Sequence, residues 1–224
     1  MDNFIEPILI SLKIASLATI LAFVIGTACA RLMTRVNIPC KEAIETLLTL
    51  PMVLPPTVVG FGLLLLLGRN GPIGKVLAAI FNMQVVFTLW GAVIAAVVVA
   101  FPLVYINVRA GLEKVDVNQE RAARTLGAGE LKVFFTITLP LAWPGLVSGI
   151  VLAFTRSLGE FGATLMVAGS IPGQTQTIPM AVYFSVMNGE TQEAMPLVTC
   201  VIVFSFFLLF WFNWWSRKMI STRR

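Results

Sequence analysis

The chain has 224 residues, of which 58% are hydrophobic and 12% charged, with a net charge of +5; a soluble domain carries about a quarter charged residues, so this is an integral membrane protein, read as one domain over 1–224. Its basic residues sit at the ends of apolar runs rather than on one face, which excludes a nucleic-acid binder. There is no histidine, no Ser/His/Asp set and no metal spacing among Cys29, Cys40 and Cys200, so no catalytic residue, metal site or bound cofactor is expected and the cysteines read as reduced structural thiols.

A bilayer core takes about 20 apolar residues per helix, and five spans are expected: about 9–31, 47–68, 87–108, 137–167 and 195–216. The first is too long and too late for a signal peptide and reads as a membrane helix. The second contains Pro51, Pro55 and Pro56, each of which removes a helix hydrogen bond. Broken helices often line a pathway; the plain alternative is a kink supported by neighbouring helices. The segment GRNGPIGK (68–75) reads as an outer loop. It superficially suggests a phosphate loop, but its spacing is wrong and Val76 stands where a Mg²⁺-binding hydroxyl belongs.

After the third span, 116–134 is a charged loop with a helix-prone stretch over 118–126, small residues Ala122 and Ala123, and Gly127 and Gly129 able to end the helix at positive φ. By composition it could equally be a plain connector. In the fourth span Arg156 and Glu160 lie four residues apart, on one face of a helix. An unpaired charge there costs about 2.5–3.5 kcal/mol on insertion scales, so the two read first as a self-neutralised pair near the outer end. Their functional alternative, shared with Ser157, Thr164 and the three prolines, is a place along a pathway or gate. Gly145 and Gly149 form a GxxxG that serves helix packing between copies or within one chain. IPGQTQTIP (171–179) reads as an outer turn, 180–187 as a short interfacial or re-entrant helix, and Trp211, Trp214 and Trp215 as an interface belt.

With the N-terminus outside, Arg31, Arg35, Lys41, Arg109, Lys114, Arg121, Arg124, Lys132, Arg217, Lys218, Arg223 and Arg224 fall inside, 12 of the 16 basic residues. Positive charge stays on the cytoplasmic side, so the expected topology is N-out/C-in with 116–134 in the cytoplasm.

Ala122-Ala123, Gly127 and Ile137-Thr138-Leu139-Pro140 have the spacing of the EAA signature of ABC importer permeases, with Arg121 where that signature has glutamate and Glu120 one residue earlier. LTLPMVLPPTVVGFGLLLLLGRNGPIG (48–74), QERAARTLGAGELKVFFTITLPLAWPG (119–145) and AFTRSLGEFGATLMVAGSIPGQTQTIP (153–179) resemble permeases for tetrahedral oxyanions, with molybdate permeases the nearest likeness and tungstate and sulfate permeases sharing part of the pattern. The resemblance implies an all-α type I importer subunit that forms the pore with a second copy of itself. It would work with two cytoplasmic ATP-binding cassette subunits, which hold ATP and Mg²⁺, and with an extracytoplasmic anion-binding protein. Glu120, Arg121, Ala122, Ala123, Arg124, Gly127 and Gly129 would then form the coupling helix and its end. A self-contained secondary transporter or channel is disfavoured by the lack of an internal repeat and of an intramembrane carboxylate network. A scaffold that merely anchors a soluble protein is disfavoured by the proline-broken second span.

Overall fold

The structure, a computed structural model, describes residues 2–36 and 39–221; the side chains of Trp215, Arg217 and Lys218 and all of Arg223 and Arg224 lie outside the described residues. In chain order the helices are α1 (Asp2–Arg35), α2 (Lys41–Thr49) running into a 3-10 turn (Leu50–Met52), α3 (Pro56–Leu67), α4 (Pro72–Phe81), α5 (Leu89–Glu113), α6 (Val117–Thr125), α7 (Glu130–Val133), a π turn (Phe134–Thr138), α8 (Leu139–Leu158), α9 (Gly162–Ala168), α10 (Ile178–Met187) and α11 (Thr191–Ser221). No strand occurs among the described residues. Four helices are long and apolar enough to cross a membrane, and the bent pair Lys41–Met52 and Pro56–Leu67 makes a fifth if it counts as one span.

The centre is α1, α5 and α8, and it is built from small residues. Ala15, Ala18, Ala22, Ala92, Ala95, Ala96, Ala100 and Ala153 are fully buried. In lipid, helices associate by close packing rather than by escape from water, and small side chains let backbones approach. At Gly145 an added Cβ would lie 2.8 Å from the Gly111 Cα, and at Gly149 3.3 Å from the Val104 Cα. The GxxxG is therefore used inside the chain, where α8 crosses α5.

Two expectations change, and the break in the second span falls where its prolines put it. The second span is broken: α2 with its 3-10 turn meets α3 at 109°, because Pro55 caps α3 in extended backbone and Pro56 occupies its first turn. The fourth span is Glu130–Leu158 rather than 137–167. It starts inside the expected loop and stops at Gly159, and α9 is a separate helix. The outer loop 68–75 is only half a loop, since Pro72 opens α4. The short helix expected at 180–187 is present as α10, and the turn before it is fastened by the buried Thr175, whose hydroxyl accepts from the Ile171 N–H at 3.0 Å and contacts the Ala168 carbonyl at 3.1 Å.

The π turn has a local cause. Pro140 has no N–H and its ring crowds the carbonyl four residues back, and just before it the Leu139 N–H donates five residues back, to Phe134. The helix widens instead of breaking. At the far end of the chain, α11 stands apart: the apolar window within Thr191–Phe212 is 6% buried against 56% for that of Leu89–Glu113. An apolar groove of about 920 Å³ separates α11 from α8, lined by Trp143, Phe154, Phe204, Phe207 and Trp211 among others.

Candidate functional site

The short helix α6 is delimited by its own chemistry. The Asp116 side chain accepts from the Asn118 N–H at 2.9 Å and opens the helix. Gly127 at φ 82 closes it. The Gly127 N–H donates to the Arg124 carbonyl at 2.9 Å and the Ala128 N–H to the Ala123 carbonyl at 3.1 Å, the paired bonds of a Schellman cap. Gly129 does not end α6 as expected: at φ −68 and ψ 160 it caps the start of α7.

One carboxylate fastens this helix to the bundle. Glu120 is 2% exposed. Its Oε1 accepts from the Thr138 hydroxyl at 2.6 Å and is ion-paired with Arg35 at the end of α1. Arg124, one turn along α6, lies 3.6 Å from Oε2 and makes a second ion pair with Glu130 at 2.5 Å. Burial by itself would raise the Glu120 pKa, but the Thr138 hydroxyl, Arg35 and Arg124 together hold it below the ordinary carboxylate value. Beside it Arg31 stacks on the Phe134 ring, 3.6 Å from its centroid. Arg31, Arg35, Glu120, Phe134 and Thr138 line a cavity of about 140 Å³.

The opposite face of α6 is open. Arg121, Ala122 and Thr125 are exposed, and Leu126 is 88% exposed, while the exposed Val117 sits at the rim of the Glu120 cavity. Of the residues assigned to this element, Ala123 and Arg124 are half-buried and only Glu120 is turned fully inward.

The second group of candidates gathers where the two broken spans meet. An added Cβ at Gly162 would lie 3.1 Å from the Pro56 Cβ and one at Gly60 2.8 Å from the Ala163 Cα, so α3 and α9 cross in close contact. Arg156 Nη1 and Glu160 Oε2 pair at 2.5 Å, as the sequence suggested, but not along one helix. Glu160 lies beyond the end of α8, and its Oε1 accepts from the Ala163 N–H at 2.8 Å, capping α9. Ser157 and Thr164 are buried in the same stretch. Pro51 belongs to the 3-10 turn, and Pro55 lies exposed at the bend.

Sequence reasoning missed the partners. Arg35 is 85 positions from Glu120, and nothing in a local pattern joins them. Thr138 was visible only as part of the signature. A further cluster was missed altogether: Arg109 pairs with Glu45 at 2.5 Å and Glu113 at 2.7 Å, tying α2 to α5 beside a cleft of about 490 Å³.

The comparisons with known proteins agree with one another. Residues 10–221 match the family described as binding-protein-dependent transport system inner membrane component. The chain is 49% identical over 191 residues to the molybdenum transport system permease protein ModB of Escherichia coli (strain K12), covering 84% of this chain and 83% of the relative. It is 43% identical over 216 residues to ModB of Haemophilus influenzae, covering 96% and 94%. Among solved structures it is similar to a bacterial ABC transporter that imports alginate, with a TM-score of 0.77 at 16% identity over 97% of this chain and 80% of the other. It is also similar to the MetNI methionine ABC transporter, with a TM-score of 0.72 at 16% identity over 97% and 96%.

Proposed function

This chain belongs to the inner-membrane components of binding-protein-dependent transport systems and, within them, to the molybdenum transport permeases, and from that premise we propose that it forms the path by which molybdate enters the cell. It is a multi-pass membrane subunit with the fold of ABC importer permeases, and it is a transport component whose ATP hydrolysis belongs to a separate ATPase.

We place the α6 end of the bundle in the cytoplasm, with the N-terminus outside, on the distribution of Lys and Arg. In this reading α6 is the coupling helix, and its exposed face enters a groove on the ATPase, which carries ATP and Mg²⁺. The observation that carries the reading is the asymmetry of α6: a single buried carboxylate ties it to α1 and to the π turn ahead of α8, while its other face is left open. A displacement of α6 therefore reaches two spans at once. The interrupted second and fourth spans, touching at Pro56 and Gly162, supply the part of the path able to change shape. A second copy completes the pore, and an extracytoplasmic protein delivers the anion. At the Arg156 position the positive charge is neutralised by Glu160, and an anion passing it is free to leave.

The test is uptake by vesicles reconstituted with this chain, its ATPase and its binding protein. Molybdate uptake should require ATP, with tungstate competing and sulfate competing poorly. Sulfate uptake at a comparable rate would reassign the cargo, and uptake without the ATPase would overturn the mechanism.

A further inference from the structure

The acidic residues on and around α6 are all engaged within the chain. Glu113 pairs with Arg109 at 2.7 Å, and Asp116 caps α6. Glu120 is held by Arg35, Thr138 and Arg124, and Glu130 by Arg124. The cations are not treated alike. Lys114, Arg121 and Lys132 are exposed and have no ion-pair partner among the described residues. On α6 itself the stripe Val117, Arg121, Thr125 follows the i, i+4 spacing of one helix face, and the nearly fully exposed Leu126 caps the helix about 140° round from Arg121. This exposed surface therefore presents one uncompensated positive charge on the helix face and one apolar group at the helix end.

We infer that the ATPase groove that receives α6 is acidic, with a carboxylate set opposite Arg121 and an apolar hollow for Leu126. This rests on the docking reading above and adds the chemistry of the partner surface. A basic or neutral groove would leave Arg121 unpaired on burial, which is costly, whereas a carboxylate gives a charge-assisted and geometrically specific contact.

The measurement is the affinity of the cognate ATPase for the purified chain in lipid nanodiscs at several salt concentrations, together with binding-protein-stimulated ATP hydrolysis. R121E should weaken attachment about tenfold or more, R121Q should weaken it less and flatten the salt dependence, and both should melt like the parent chain. Charge reversal of one groove carboxylate should restore the R121E complex. A photo-cross-linker at T125C separates the two ideas. If T125C labels the ATPase while R121E binds as tightly as the parent and with the same salt dependence, the acidic groove is wrong and docking stands. If T125C labels no ATPase in the assembled complex, docking through α6 is wrong as well.

Discussion

Glu120 and Glu160 are in the same physical position at opposite ends of one long helical segment. Each is 2% exposed, each faces an arginine, and each holds a second element through its other contacts. A hydrogen bond to a charged group contributes about 1.5–3 kcal/mol, so Glu160→Ala should lower stability by roughly that amount in a detergent melt, because Ala163 loses its acceptor and Arg156 its partner. Arg156→Ala should cost a comparable amount, because it leaves the buried Glu160 carboxylate without its counter-charge. Exchanging the two, R156E with E160R, should not restore function, because an arginine at 160 has no acceptor for the α9 amide; full recovery of uptake would show that the cap is unimportant. For Glu120 the sign of the pH effect follows from its lowered pKa. Its contribution is complete above the ordinary carboxylate value of about 4.3 and is lost as pH falls through the lower folded value. An acid melt should therefore show Glu120→Gln less sensitive to pH than the parent below that value. The pairing of Arg156 with Glu160 was readable from a spacing of four. The partners of Glu120 were not, because that contact joins residues 85 apart.

Some helix ends were readable. Gly127 marks the end of α6 in the sequence and caps it in space, and Pro55 and Pro56 announce the bend before α3, whereas the Asp116 cap that opens α6 is seen only in the structure. The break between α8 and α9 was hidden because 161–168 is as apolar as a span; α8 closes at Gly159, and the Glu160 side chain then accepts from the Ala163 amide at the start of α9. The start of α4 was hidden by the surrounding glycines, which tighten the turn so far that a Cβ at Gly74 would lie 2.0 Å from the Gly68 carbonyl oxygen. At Gly127 nothing lies within 4 Å of an added Cβ, so Gly127→Ala should cost only the left-handed backbone, about 1–2 kcal/mol, and Gly127→Asn less. Equal melting of all three would show that α6 does not need this cap. Gly145→Val presses instead on the α5 backbone and should destabilise the bundle by about 1–3 kcal/mol, again measured by thermal unfolding.

Over the whole molecule, composition fixed the class, and the proline and signature patterns led to the family that the comparisons establish. What no pattern disclosed is how unevenly the chain is packed: a tight core of α1, α5 and α8, and an α11 whose apolar window within Thr191–Phe212 is 6% buried. Removing lipid should therefore loosen α11 before the core, seen as earlier proteolysis near Thr191 than within α5; simultaneous cleavage of both would contradict that order. The wide turn at Phe134–Thr138 has the longest reach. One surplus residue sets the two stretches of helix out of phase by about 100°. Deleting a residue there would restore even winding, and α6 would swing to a new azimuth while the Glu130–Leu158 span lost only one residue. Under the coupling proposed for α6, such a chain would enter the membrane normally and be deaf to its motor.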